Sequence, residues 1–326
     1  MENRFNEDGL VLENSYQETM DSQVLPWLKE RETVKTVTGC NDKPVYTVTY
    51  AAENAVGSVL IVHGFTENAY KYSELIHSLL VSGLNVVAYD QRGHGRSYRD
   101  ERIQDLSLTH VGRFEEYVED MEAVIAQALS AFPKPWYVFC HSMGGAVTAL
   151  YLEKHADTFA KAVFCAPMIA PNLGGVSPAV ISAICRGAKM VGKGRGRVFV
   201  SKPYAGPEDF ATSAASGKAR FDWYDHVKAT HKEFQNNGPT YSWTLEAAQV
   251  TKKILAPGAV EKILCPVQVY GAEHDGSVMP EPQAAFAARL KNGSRTVIPG
   301  SRHEIFRSPD AVLFPWWHGI LGFIKG

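Results

Sequence analysis

The sequence predicts an α/β domain: a mostly parallel sheet with helices on both faces, interrupted by a helical insertion. Three observations carry this. Short runs that are apolar on both faces alternate with helical stretches, the signature of a sheet covered on both sides. One such run leads into a sharp turn around a serine and straight into a helix. The alternation stops after Ala166-Pro167 and resumes at Pro266-Val267.

Taken in order, residues 1–33 read as a polar N-terminal lead-in with a short helix. Segments 34–38 and 45–50 alternate with period two and are rich in β-branched residues, so they form an antiparallel pair joined through Asn41-Asp42-Lys43-Pro44. Segments 58–62, 85–89, 137–139 and 161–165 are the doubly buried strands. Helices over about 70–82, 109–130 and 144–155 separate them. Residues 171–262 are helical and irregular, with Pro, Gly and aromatic residues and no clear buried strand. The rhythm resumes with a strand at 266–270, a helix near 281–291, a strand at 295–299 and a final amphipathic helix. The core domain is therefore expected over 34–170 and 263–326, with the insertion over 171–262.

Composition bounds the function. Of 326 residues, 45% are apolar and 21% charged, and the formal net charge of −2 gives no global basic field that would point to nucleic acid. The five cysteines form neither a disulfide framework nor a zinc-spaced cluster, which fits a reducing compartment. The N-terminus is polar and acidic, without the basic start and apolar core of a signal peptide, and no apolar run has the length of a membrane span. A cytoplasmic location is expected, with room for peripheral contact with a membrane.

The chemistry centres on Cys140-His141-Ser142-Met143-Gly144-Gly145, which follows an apolar strand and opens a helix. Such an elbow holds a serine in a strained backbone and lifts its hydroxyl above the sheet. The usual pattern is G-x-S-x-G; here Cys140, still small, stands at the first glycine. A serine hydroxyl needs a general base, and the base an orienting acid, in the chain order Ser, Asp or Glu, His. Tyr270-Gly271-Ala272-Glu273-His274-Asp275 and Gly300-Ser301-Arg302-His303 each follow a strand and supply that order. Ser142 is assigned as nucleophile, His303 as base and Asp275 as acid, with Glu273 as its rival. Backbone N–H groups of Met143 and Phe65 are assigned to the oxyanion hole. No metal or organic cofactor is implied, and activity should fall in acid because the base must be neutral.

Several residues have blander readings. His63 and His141 are expected to pack or hydrogen-bond rather than act as second bases, and Cys140 to be buried and inert. Asp90, Arg92 and Gly93 are expected to fix a turn. Residues 187–193 nearly spell a phosphate-binding loop, but Gly194 stands where Ser or Thr is required and helix precedes it where a strand is needed.

The elbow, His63-Gly64-Phe65-Thr66-Glu67 and Asp90-Gln91-Arg92-Gly93-His94-Gly95-Arg96-Ser97 resemble the α/β-hydrolase family, in its lysophospholipase and monoacylglycerol lipase branch. Residues 110–120, 238–243 and 303–306 resemble bacterial inner-membrane-associated lysophospholipases. The resemblance covers about residues 35–323. It implies the α/β-hydrolase fold, a helical cap over the acyl pocket, and a serine esterase of lipid metabolism. The implied substrate is a small lipid ester, a lysophospholipid or monoacylglycerol, cleaved at its single acyl chain through an acyl-enzyme. The stretch 178–184 could then line the acyl pocket, touch a bilayer, or pack on the main domain. The alternatives are a short-chain carboxylesterase or serine aminopeptidase on the same fold, and an inactive ligand-binding homologue.

Overall fold

The computed structural model describes residues 4–326. Helices α1 (Tyr16–Thr19) and α2 (Leu25–Lys29) lead into the strand pair β1 (Glu32–Thr38) and β2 (Pro44–Tyr50). Then follow β3 (Gly57–Val62), α3 (Ser73–Val81), β4 (Leu84–Tyr89), a two-residue β5 (Leu108–Thr109), α4 (Glu115–Gln127), β6 (Trp136–His141), α5 (Met143–Leu152) and β7 (Lys161–Cys165). The segment after β7 carries α6 (Pro178–Met190), α7 (Lys218–Thr230), a two-residue β8 (Gly238–Pro239) and α8 (Tyr241–Ile254). The chain ends with β9 (Val267–His274), α9 (Pro280–Arg289), β10 (Gly293–Arg302) and α10 (Asp310–Lys325).

Eight strands make one sheet in the order β1-β2-β4-β3-β6-β7-β9-β10. β1 and β2 pair antiparallel, as do β2 and β4; every other pairing is parallel. The central strands are doubly buried because alternate side chains enter two cores. On β3, Leu60 and Val62 face a core shared with α4, α5, α8 and α9, while Val59 and Ile61 face one shared with α3, α7 and α10. At the edges, β1 and β10 are largely exposed, as one-sided strands should be.

Three local differences from the sequence pattern have physical causes. Helix α4 starts at Glu115 because the preceding residues are drawn away: Leu108 and Thr109 pair with Gly238 and Pro239. The lead-in is more than a polar arm, since Leu10, Val11, Tyr16, Met20, Val24 and Leu28 are buried in the α3/α10 core. Arg92 does more than shape a turn. Its guanidinium bonds both carboxylate oxygens of Asp120 (2.6 and 2.7 Å) and Glu116 (2.7 Å), pinning α4 to the loop after β4. Asp90 does brace that turn, accepting from the N–H groups of Ala69 and Arg96. Helix α6 runs through Gly187–Met190, so the first four residues of the near-phosphate-loop sequence are helical and the rest form the turn after it.

Candidate active site

The elbow is built by close packing. β6 ends at His141 and α5 begins at Met143, leaving Ser142 between them at φ 49° and ψ −118°. That conformation is strained for any L-residue with a side chain and persists only where surrounding contacts enforce it. Here Ser142 N–H donates to the Cys165 carbonyl (3.1 Å), and its own carbonyl accepts from Gly145 and Met168 (both 2.8 Å). The glycines are sterically required: a Cβ at Gly144 would come 2.1 Å from the Val62 carbonyl oxygen, and one at Gly145 2.5 Å from the Pro167 Cβ. Cys140 lies fully buried in the sheet, and burial pushes its thiol well above the ordinary range, so it is not a nucleophile at neutral pH.

The other two side chains arrive through strand register. β9 and β10 pair Ile298 with Ala272 but Arg302 with His274, so the offset grows from 26 to 28 residues across the irregularity. Gly300, at φ 69°, takes up the two extra residues. The new offset is the one that sets His303 opposite Asp275. His303 Nδ1 lies 2.8 Å from Asp275 Oδ2, and His303 Nε2 lies 2.8 Å from Ser142 Oγ. With Nδ1–H donated to the carboxylate, Nε2 is left as acceptor for the serine hydroxyl. Burial pushes the Asp275 carboxyl up, but the bond and charge of His303 and the N–H groups of Ser277 and Val278 outweigh it and hold it below its usual value. Glu273 points elsewhere: it accepts from Gly300 N–H (2.8 Å) and is about half exposed.

Met143 is the first residue of α5, so its N–H has no carbonyl within the helix to bond. Phe65 lies on the loop after β3, and that loop runs against the elbow: a Cβ on Gly64 would sit 3.0 Å from the Ser142 Cβ. The Phe65 ring packs on Trp243 of α8, tilted by 34° with centroids 4.0 Å apart. His63 is neutral and structural, its Nε2 accepting from Gln91 N–H (2.8 Å), with burial lowering its pKa.

Beneath the site lies a buried charged cluster that sequence reading missed. Glu67 Oε2 accepts from Gly64 N–H (2.6 Å), Tyr72 hydroxyl (2.7 Å) and His141 Nδ1 (3.1 Å), and Oε1 accepts from Lys71 Nζ (3.1 Å). Lys71 also bonds Glu304, whose other oxygen bonds Arg307 (2.5 Å). His141 Nε2 faces the His303 carbonyl oxygen at 3.1 Å. A neutral ring could donate to only one of two acceptors, so this pair of partners favours the imidazolium form of His141. Burial opposes that charge, but Glu67 outweighs it and raises the His141 pKa. Likewise burial works against the Glu304 carboxylate, yet Lys71 and Arg307 bring it down to about 2. The cluster joins the loops at 63–67, 141–142 and 303–304. The one visible signal was the four-residue spacing of Glu67 and Lys71, which ordinarily marks a solvated helix pair.

A cavity of about 710 Å³ opens onto Ser142 and His303, walled by apolar side chains including Met168, Leu173, Val176, Ile181 and Trp243. Metal-ligand spacing among the described residues occurs at Glu7, Asp8 and His318, a surface group outside this cavity.

Known proteins resemble this chain over most of its length. A family described as serine aminopeptidase, S33 matches residues 53–310. Lysophospholipase L2 of Escherichia coli (strain K12) is 30% identical over 306 residues, covering 88% of this chain and 86% of that protein. Monoacylglycerol lipase of Mycolicibacterium smegmatis is 32% identical over 151 residues, covering 46% of this chain and 49% of that protein. A thermostable carboxyl esterase of Bacillus coagulans shares the fold, with a TM-score of 0.72 at 20% identity over 91% of this chain and 98% of that one.

Proposed function

Because the chain belongs to the serine aminopeptidase S33 family, in the lysophospholipase and monoacylglycerol lipase branch of the α/β-hydrolases, we propose that it is a serine ester hydrolase. Its substrate is a lysophospholipid or monoacylglycerol carrying one fatty-acyl ester. The observation that carries the reading is the hydrogen-bonded chain Ser142–His303–Asp275 at the end of a large apolar cavity. A cavity of about 710 Å³ lies within the ~300–1,000 Å³ typical of small-molecule sites.

The mechanism follows from the geometry. Ser142 Oγ attacks the ester carbonyl while His303 Nε2 takes its proton, and the Asp275 carboxylate steadies the resulting imidazolium. The tetrahedral oxyanion is held by the N–H groups of Phe65 and Met143. His303 returns the proton to the departing glycerol oxygen, leaving the acyl chain on Ser142. Water, deprotonated by the same histidine, then releases the fatty acid. No cofactor enters this cycle.

Residues 171–262 serve as the cap. From this segment, Ile181 of α6 and Trp243 of α8 form part of the cavity wall. The same segment carries exposed Val180, Ile184, Met190, Val191, Phe199 and Val200 beside exposed Lys189, Lys193 and Arg195. Exposed apolar side chains in the same segment as exposed Lys189 and Lys193 suit shallow contact with an anionic bilayer, from which a single-chain lipid would enter. No helix among the described residues is long and apolar enough to cross a membrane.

The test is fatty-acid release from lysophospholipids, monoacylglycerols and short p-nitrophenyl esters, with Ser142→Ala beside the wild type. The wild type should act on the long-chain lipids, and Ser142→Ala should keep its melting temperature while losing a factor on the order of 10⁴ or more in kcat. Activity confined to the short esters would overturn the lipid reading.

A further inference from the structure

Among the described residues, three buried polar atoms without a hydrogen bond gather around Phe65: His94 Nε2, the Tyr117 hydroxyl and Trp243 Nε1. They come one each from the stretches 90–97, 110–120 and 238–243, none of which supplies a reacting group. Pairing of β5 with β8 brings the last two stretches together. The His94 ring meets the Phe65 ring edge-on at 6.0 Å, and Trp243 covers the Phe65 face at 4.0 Å.

The three polarities are complementary. His94 Nδ1 lies 3.0 Å from the Arg92 carbonyl oxygen, so Nδ1 carries the proton and Nε2 is left as an acceptor. Trp243 Nε1–H can only donate, and a tyrosine hydroxyl does both. Burial pushes the Tyr117 hydroxyl far up, and the nearby Trp243 indole works against it. A row of hydrogen bonds from Trp243 through Tyr117 to His94 would satisfy all three atoms. Leaving them apart is costly, so a small motion that closes the row is favoured. Trp243 is where that motion can start. Its side chain forms part of the wall of the apolar cavity, and no hydrogen bond fixes the indole.

We infer that Trp243 is a positioning residue that couples filling of the acyl cavity to the oxyanion hole. A long acyl chain packs on the indole and closes the Trp243–Tyr117–His94 row around the Phe65 ring. That fixes the Phe65 N–H where the oxyanion forms. A short acyl chain leaves the indole untouched. Binding energy from the far end of the substrate then appears in kcat as well as in KM. This rests on the ester-hydrolase reading above and makes Trp243 its sensor of acyl length. Both half-reactions feel it, because the acyl group occupies the cavity in each.

The experiment measures kcat and KM separately on p-nitrophenyl acetate and p-nitrophenyl octanoate in wild type, Trp243→Leu and Tyr117→Phe, each checked by thermal melting. Wild-type kcat should be about tenfold or more higher on the octanoate. Trp243→Leu keeps an apolar wall without the flat ring or the N–H. Tyr117→Phe lies outside the cavity and removes only the middle hydroxyl. The ratio of the two kcat values should fall to within about twofold of unity in Trp243→Leu, and by about threefold or more in Tyr117→Phe. A mere wall would raise KM for the octanoate in Trp243→Leu and keep the kcat ratio; that result overturns the inference, as does an equal fall in kcat on both esters. An unchanged ratio in Tyr117→Phe overturns it too, and decides alone should Trp243→Leu fail to fold. Because its hydroxyl is unpartnered at rest, Tyr117→Phe should melt no lower than wild type, and a lower melting temperature counts against the row. A wild-type kcat no higher on the octanoate refutes the coupling and spares the ester-hydrolase reading; hydrolysis of neither ester sinks both.

Discussion

Replacing Glu67 by Gln would test the charged cluster directly. The side chain keeps its shape but loses its charge, and one of its two acceptor oxygens becomes a donor. Wild-type Glu67 answers four donors: Gly64 N–H, Tyr72 hydroxyl, His141 Nδ1 and Lys71 Nζ. Glu67 and His141 are 2% and 1% exposed, so solvent screens little of this. Breaking a buried ion pair by removing one partner costs about 3–5 kcal/mol. At roughly 2–3 °C per kcal/mol for a chain of this size, the melting temperature should fall by roughly 6–15 °C. The pH dependence has a definite sign. The Glu67 carboxyl is held well below its ordinary value, so its contribution is present above about pH 4.3 and lost as pH falls through the folded value. The His141 pKa is raised, so its contribution is complete below about pH 6.5 and lost as pH rises through the folded value. The gap between wild type and variant should be widest near pH 5–6 and narrow on the alkaline side. Catalysis should suffer as well, because Gly64 N–H anchors the loop that carries Phe65. A loss of at least tenfold in kcat with little change in KM is expected, bounded by the ~10²–10³ that a whole oxyanion donor is worth. Calorimetric melts from pH 5 to 9 and steady-state kinetics would read this. A shift under 2 °C at pH 6, or a gap that widens toward alkaline pH, would refute the reasoning.

Three further substitutions have expected outcomes. Asp275→Asn should lower kcat by a factor on the order of 10⁴, whereas Glu273→Gln, whose side chain bonds Gly300 N–H and lies 3.5 Å from exposed His274, should stay within about twofold; comparable losses in the two would reopen the choice of acid. Burial pushes Glu153 up to about 7, and its buried Oε1 has no partner. A carboxyl raised in the folded state weakens the fold as it ionises, so Glu153→Gln should melt above wild type at pH 8, keep a much smaller advantage at pH 5 and lose it below about pH 4.3. Melting curves at the two pH values decide it, and an advantage that grows in acid would be contrary.

What could be read from the sequence was local. The elbow announces itself because Gly144 and Gly145 must lie beside a serine that follows an apolar strand, all within six residues. Asp275 and His303 were legible as residues following strands, though not the two-residue shift at Gly300 that sets them opposite one another. Among the strands, the doubly buried ones stood out by apolar content, while β5 and β8 are two residues each and have no period to detect. The charged cluster was invisible for a different reason. Lys71 and Glu304 are 233 residues apart, and isolated Lys, Glu and Arg normally belong to the surface. Arg220 shows the same effect: on α7 it reads as a solvated charge, yet it is 1% exposed and bonds Glu74, Asp310 and the Val11 carbonyl. It ties the N-terminal segment, α7 and α10 together, which explains how a polar-looking lead-in became part of the core.

The cluster also clarifies what the Glu67 variant measures. With His141 protonated, His141, Lys71 and Arg307 supply three positive charges against the two carboxylates of Glu67 and Glu304, leaving one net positive charge behind the elbow. That charge favours the oxyanion that forms at Ser142. Removing the Glu67 carboxylate alone would raise the net charge, but His141 owes its proton to that carboxylate. Without it, burial returns the imidazole to the neutral form, and one lost negative charge is offset by one lost proton. The field at the reacting carbonyl is then nearly preserved. A fall in kcat for Glu67→Gln above the pH where its His141 is neutral therefore reports displacement of the Gly64–Phe65 loop, and geometry is separated from charge at one position.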